Sequence, residues 1–332
     1  MSGSHVANDL GAAIPRFPLA VLPTPVVRAV HLERALGCGP LLVKRDDLIG
    51  FGVAGNKTRP LEFLMGAARE HAADVFITGG GPGSNFCAAA AQAARVAGME
   101  CELLVWGDPQ GAPNLALAAA AGARLVPTGG DVREAVDELV VARADELAAQ
   151  GCRAFAVPRG GSTGLGAVGF AVAAAELAAQ LADRDPAEQP ALIVLPVGSG
   201  GSCAGLLAGL AAVGLDVPVL GVSVSRPPAE IGPRVDLLAR ACATILGTPA
   251  PRPDRLELLD ARGPGFGVAS ALERERARLA LHTEGLLLDE TYGAEAFSAA
   301  VDRLLADPPG PVLWWHTGGL VPAVSTIMKG PR

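Results

Sequence analysis

Leu192-Ile193-Val194-Leu195-Pro196-Val197 runs directly into Gly198-Ser199-Gly200-Gly201-Ser202 and then into an alanine-rich stretch from Ala204 to Ala212. An apolar run of strand length, a glycine turn and a helix-forming segment make one strand–loop–helix unit. The same order recurs outward along the chain. Val75 to Thr78 precedes glycines and a helix from Asn85 to Ala97, and Cys101 to Trp106 precedes a helix near Asn114 to Ala121. Arg124 to Pro127 precedes a long helix from Val132 to Ala149, Val217 to Val224 gives a further strand, and Val312 to Trp315 the last. Strands separated by helices pair in parallel, because the intervening helix carries the chain back to the starting end. The expectation is an α/β protein of open parallel sheets with helices on both faces. Ligands then belong at the carboxyl ends of the strands.

At 332 residues the chain suits two domains or one large α/β unit. Half of the residues are apolar and 18% are charged, the balance of a globular chain rather than a disordered one. A net charge of −7 with no basic run argues against a nucleic-acid partner. Cys38, Cys87, Cys101, Cys152, Cys203 and Cys242 are widely spaced with no CxxC pair. That pattern fits neither a zinc site nor a disulfide framework, so no metal is expected and a reducing cytoplasm is. The N-terminal segment has no basic start followed by an apolar run, and Pro15, Pro18, Pro23 and Pro25 interrupt it. No uninterrupted apolar stretch reads as long enough to cross a bilayer, so no membrane partner is expected.

Lysine is scarce: Lys44, Lys57 and Lys329 are the only three, against 24 arginines. Lys57 lies in a run of small residues, Gly50 to Thr58. An amine can lose its proton and form an imine where a guanidinium cannot, which makes Lys57 the candidate for covalent chemistry. Composition alone leaves open that it is a solvated loop residue. The Gly198–Ser202 turn can aim backbone N–H groups at an anion, with the helix dipole and the Ser199 and Ser202 hydroxyls in support. A dinucleotide fingerprint fails there because Cys203 stands where the third glycine belongs. A triphosphate loop fails at Gly50–Thr58, where Asn56 separates Gly55 from Lys57 and no apolar strand leads in. One phosphate held by neutral donors, plus a distinctive lysine elsewhere, indicates pyridoxal 5′-phosphate. A second cluster, Gly79 to Asn85, offers N–H groups and Ser and Asn side chains suited to a carboxylate and a phenolic oxygen. A helix cap at Ser84 or Asn85 is expected to coexist with that use.

With these residues in view, the chain resembles the D-cysteine desulfhydrase and 1-aminocyclopropane-1-carboxylate (ACC) deaminase family, within the fold-type II, tryptophan-synthase-β-like pyridoxal phosphate enzymes. The resemblance runs from about Leu22 to Gly319. It is carried in order by Leu22-Pro23-Thr24-Pro25, Val43 to Leu48, Gly55-Asn56-Lys57-Thr58-Arg59-Pro60-Leu61-Glu62, Gly160-Gly161-Ser162, the Gly198 loop, Gly263-Pro264-Gly265-Phe266-Gly267, Thr283 to Asp289 and His316-Thr317-Gly318-Gly319. It implies a large domain of residues 1–50 plus 161–332 and a small domain of 51–160, with the cofactor between them, and a homodimer. By the same resemblance Lys57 binds the cofactor covalently and later moves the Cα proton. Asn85 bonds the phenolic oxygen, Ser84 the substrate carboxylate, and Gly198, Ser199, Gly200, Gly201 and Ser202 the phosphate. Thr317 offers a hydroxyl to the pyridine nitrogen. Tyr292, the only tyrosine, matches an active-site tyrosine, although a buried structural role stays open. Substrate would meet Ser84, Asn85, Phe86, Gly161, Phe266 and Tyr292.

The chain also departs from that family. Gly83 stands for Gln, Phe86 for His or Gln, Phe266 for Tyr, Pro60 for a basic residue, and Gly293 where the deaminase branch carries a carboxylate for the ring nitrogen. Each change removes a polar group, which points to a more apolar substrate pocket and away from cyclopropane opening. The expected activity is β-elimination from a small β-substituted amino acid such as D-cysteine, giving a keto acid and ammonia. A β-replacement synthase is the alternative; ACC deamination and a non-catalytic cofactor-binding protein are further ones.

Overall fold

A computed structural model describes residues 10–130, 133–263, 265–306 and 308–330; Pro264 and the helix start read at Val132 lie outside them. The strands are β1 (Val26–Arg28), β2 (Leu41–Arg45), β3 (Val75–Gly80), β4 (Glu100–Val105), β5 (Arg124–Pro127), β6 (Ala154–Ala156), β7 (Leu192–Val197), β8 (Val219–Ser223), β9 (Leu256–Asp260) and β10 (Val312–His316). They form a six-stranded sheet in the order β1-β2-β10-β7-β8-β9 and a four-stranded sheet in the order β5-β4-β3-β6. The α/β class is as expected, with one correction. β1 runs antiparallel to β2, while the other pairings are parallel. It is an edge strand joined to β2 through a seven-residue helix, and an antiparallel edge on a parallel sheet is a common arrangement.

The helices are α1 (Val30–Leu36), α2 (Thr58–Glu70), α3 (Asn85–Val96), α4 (Pro113–Ala120), α5 (Val136–Ala149), α6 (Gly164–Leu181), α7 (Gly201–Val213), α8 (Pro228–Leu246), α9 (Ala271–Glu284), α10 (Gly293–Leu305) and α11 (Leu320–Met328). Alternation along each strand decides which helices it meets. Leu313 and Trp315 of β10 pack with Ile193 and Leu195 of β7 against α6, α7 and α8. Val312 and Trp314 pack with Val194 and Leu220 against α1, α9 and α10. In the small sheet, Phe76 and Leu103 face α2, α3 and α4, while Val75, Ile77 and Leu104 face α5.

Two differences from the sequence reading bear on function. α7 begins at Gly201, inside the glycine run and not at Ala204, because Gly200 turns the chain with φ +94°. By length and composition α6 would span a membrane, contrary to the sequence reading, yet most of it is packed inside the protein as a core helix. Its one charge, Glu176, joins a buried network. Arg59 forks onto Asp46 at 2.7 Å and reaches Glu176 at 3.1 Å, Trp315 Nε1 donates to Asp46 Oδ2 at 2.8 Å, and Lys44 pairs with Glu176. Two bases face two acids here, so the charges offset one another away from water. Arg59 lies two residues after Lys57, and the network fixes the start of α2 against the large sheet.

Candidate active site

The carboxyl ends of β3, β6, β7, β8 and β10 open onto one cavity of about 400 Å³. Lys57 ends a short 3₁₀ turn, Gly55–Lys57, immediately before α2. The turn is held from both sides. Asn56 N–H donates to the Thr317 carbonyl at 2.9 Å, and its side-chain amide donates to Ser202 Oγ at 3.1 Å. Burial lowers the Lys57 amine from its ordinary 10.5 to about 8. Lys44 is a useful contrast. Burial lowers it as well, but Glu176, with which it pairs, pulls the other way. Lys57 is shifted by burial alone among the described residues, and a desolvated amine of this kind carries a usable neutral fraction near neutral pH.

Two helix starts line the same cavity as Lys57. The first is Gly198–Ser202 at the head of α7, where Ser162 Oγ donates to Ser199 Oγ at 2.6 Å. A Cβ at Gly198 would stand 3.0 Å from the Tyr292 ring, so a side chain there would require the ring to shift. The second is Ser84–Asn85 at the head of α3. Ser84 Oγ accepts the Cys87 N–H at 3.2 Å and caps the helix, as the sequence reading allowed. Asn114 Nδ2 donates to Asn85 Oδ1 at 2.9 Å and to the Gly83 carbonyl at 3.0 Å.

Lys57, Ser84, Asn85, Phe86, Gly161, the Gly198–Ser202 loop, Phe266, Tyr292 and Thr317 all line this cavity. The substituted positions also have a physical setting. Phe86 is buried with its ring over Gly161, which adopts φ +66°. Phe266 is 55% exposed and meets Tyr292 edge-on at 6.2 Å, so it forms the rim rather than the floor. A Cβ at Gly83 would touch nothing within 4 Å, so the missing side chain leaves open space. Pro60 lies on the lining as well.

Several lining residues were not singled out from the sequence. Asp289 accepts the N–H groups of Thr291, Tyr292 and Gly293 at 3.0–3.1 Å, and burial pushes its carboxyl up to about 6. A side chain at Gly293 would press on Asp289 Oδ1, so a carboxylate already occupies the space beside that glycine. Burial also raises the Tyr292 hydroxyl above its ordinary value, with Asp289 adding to the effect and Arg133 and Arg226 opposing it. Arg133, Arg159, Arg226 and Arg234 complete one wall. Arg133, Arg159 and the Arg226–Arg234 pair come from three separate stretches of sequence.

Residues 18–318 match the pyridoxal-phosphate dependent enzyme family. The chain belongs to that family. It is 37% identical over 312 residues to the nocardicin C-9′ epimerase of Nocardia uniformis subsp. tsuyamanensis, covering 92% of this chain and 93% of that protein. It is 34% identical over 314 residues to a D-cysteine desulfhydrase of Salmonella choleraesuis (strain SC-B67), covering 92% and 94%. Among solved structures, an ACC deaminase homologue superposes with a TM-score of 0.89 at 28% identity, covering 97% of this chain and 98% of that one. The fold is therefore that of the fold-type II enzymes, and pyridoxal phosphate is the cofactor. The cavity fits the group: a desolvated lysine, a glycine-lined helix N-terminus with two serines, and a neutral Thr317 hydroxyl lie within one enclosure.

Proposed function

We propose that this enzyme removes the Cα proton of a β-substituted amino acid and expels the β-substituent, with hydrolysis then giving a keto acid and ammonia. The observation that carries the reading is Lys57, an amine lowered by burial alone, set in the same cavity as the Ser84–Asn85 helix start. When bound, pyridoxal phosphate supplies an electrophilic carbon for the substrate amine and a ring that delocalises charge from Cα. Lys57 holds the position from which the Cα proton is taken and returned. The start of α3, with Ser84, receives the substrate carboxylate, and the N–H groups at the start of α7 receive the phosphate. Thr317 offers the ring nitrogen a neutral partner. Phe86 and Phe266 exclude water while the leaving group departs.

A second reading is proton return to the opposite face of Cα without loss of a substituent. It is favoured by the relative named as an epimerase. The test incubates the loaded enzyme with D-cysteine in D₂O beside a Lys57→Ala control, following the cofactor's visible band, sulfide, pyruvate and deuterium at Cα. Sulfide with pyruvate supports elimination. Deuterium at Cα with inversion and no ammonia supports epimerisation. Turnover that survives in Lys57→Ala would overturn both.

A further inference from the structure

Four arginines from separate segments meet on one wall of the cavity: Arg133 before α5, Arg159 after β6, Arg226 after β8 and Arg234 on α8. Arg159 pairs with Asp137 at 3.0 Å, and Arg226 Nε reaches Glu230 at 2.8 Å, a carboxylate whose side chain is 57% exposed. Arg234 donates to the Ser199 carbonyl at 3.0 Å and, among the described residues, has no carboxylate within ion-pair distance. Burial, and then the neighbouring charges of Arg133, Arg159 and Arg234, lower the pKa of Arg226. Guanidinium groups that line a cavity, and that Asp137 and Glu230 already offset in part, can take up a further anion that enters it.

The cofactor phosphate does not account for all of them. Its natural donors are the N–H groups at the head of α7 and the hydroxyls of Ser199 and Ser202. Arg226 and Arg234 meet that loop at the carbonyls of Gly198 and Ser199, which brace it rather than present it with an anion. Arg133 and Arg226 are also the two cations whose charge reaches the Tyr292 hydroxyl, on the side where substrate is expected.

Resting on the reading above, we propose that Arg133, Arg159 and Arg226 recognise a second carboxylate at the far end of the substrate's β-substituent. The substrate class is then an amino acid with a carboxylate-terminated side chain, and cysteine is a truncated version of it. A planar carboxylate suits guanidinium groups, which can grip it with paired hydrogen bonds.

The test compares S-(carboxymethyl)cysteine with S-(carbamoylmethyl)cysteine, both enantiomers, which match in size and differ by one charge. Binding is read from the change in cofactor absorbance, so it does not depend on turnover. The wild type is expected to favour the carboxylate by about tenfold or more. Arg226→Gln and, separately, Arg133→Gln should reduce that preference to within about twofold, Arg226→Lys should restore part of it, and in Arg133→Gln affinity for pyridoxal phosphate should change by less than about threefold. Equal binding of the two compounds by the wild type would overturn the proposal. So would a preference left intact while Arg226→Gln loses about tenfold in cofactor affinity, since the guanidinium would then serve the phosphate. Absence of any Lys57-dependent cofactor band, seen before either compound is added, would instead remove the reading beneath the proposal.

Discussion

Asn114 Nδ2 lies 2.9 Å from Asn85 Oδ1, and this contact sets which atom of Asn85 is left free to face the cavity. Asn114 also faces the Gly83 carbonyl at 3.0 Å, which only accepts, so its own amide nitrogen must lie on that side. Asn85 then has to present its oxygen to Asn114, and its Nδ2 remains a donor suited to a phenolic oxygen. Asn114→Asp offers an acceptor instead and reverses Asn85. The apparent dissociation constant for pyridoxal phosphate should rise by about 5- to 30-fold, equivalent to the loss of one buried hydrogen bond. Titration by visible absorbance checks this; unchanged affinity in a folded variant would show that Asn85 does not contact the cofactor.

Arg59 is 1% exposed and holds both Asp46 and Glu176. Burial alone would push those two carboxyls up, yet Arg59 keeps both below their ordinary values. Arg59→Met leaves Asp46 with neutral donors and no ion-pair partner, and Glu176 with Lys44 alone, and should cost about 3–5 kcal/mol of unfolding free energy. Arg59→Lys keeps the charge but loses the fork and should cost less. Denaturant unfolding of the three apo proteins measures the order, and equal stability of Met and wild type would show that the network contributes no net stability.

Much of the framework was readable because buried parallel strands give continuous apolar runs. β5 and β7 have the bounds the sequence indicated. β1 and β6 are three residues long and β9 alternates with charged residues, so none of them offers such a run. The site divides in the same way. The Gly198 and Ser84 loops work through local backbone, which local sequence encodes. Asn114 and Arg159 matter through partners 22 or more residues away and Asp289 through burial, and only the folded chain supplies those. For Lys57, scarcity made it a candidate, but the contrast with the paired Lys44 appears only once the structure is known.

Gly161 should resist substitution. Its φ of +66° disfavours any side chain, and a Cβ would stand 2.7 Å from the Phe86 ring. Gly161→Ala should lower stability by about 1–3 kcal/mol through the combined strain and overlap. Adding Phe86→Ala should relieve the overlap but not the backbone strain, so the double variant should lose less than the sum of the two single losses. Thermal unfolding of the four proteins completes the cycle, and simple additivity would place Phe86 out of contact with this position.

Glu295 and Lys57 should bend the pH profile of the apo protein in opposite directions. Burial, helped by Glu273 and Asp289, raises the Glu295 carboxyl from 4.5 to about 9, and its Oε2 has no hydrogen-bond partner among the described residues. Between those values the folded protein holds a proton that the unfolded chain releases, so stability falls as pH rises. For Lys57 the unfolded chain holds the extra proton between about 8 and 10.5, so its contribution makes stability rise with pH there. Glu295→Gln keeps the neutral shape and should remove the first slope, gaining on the wild type by on the order of a few kcal/mol as pH approaches 9. Lys57→Met should remove the second, with an advantage over apo wild type at neutral pH that closes as the pH passes from about 8 to 10.5. Urea unfolding at a series of pH values separates the two effects. Parallel profiles for wild type and Glu295→Gln would mean that the carboxyl is solvated and ionised in the folded protein.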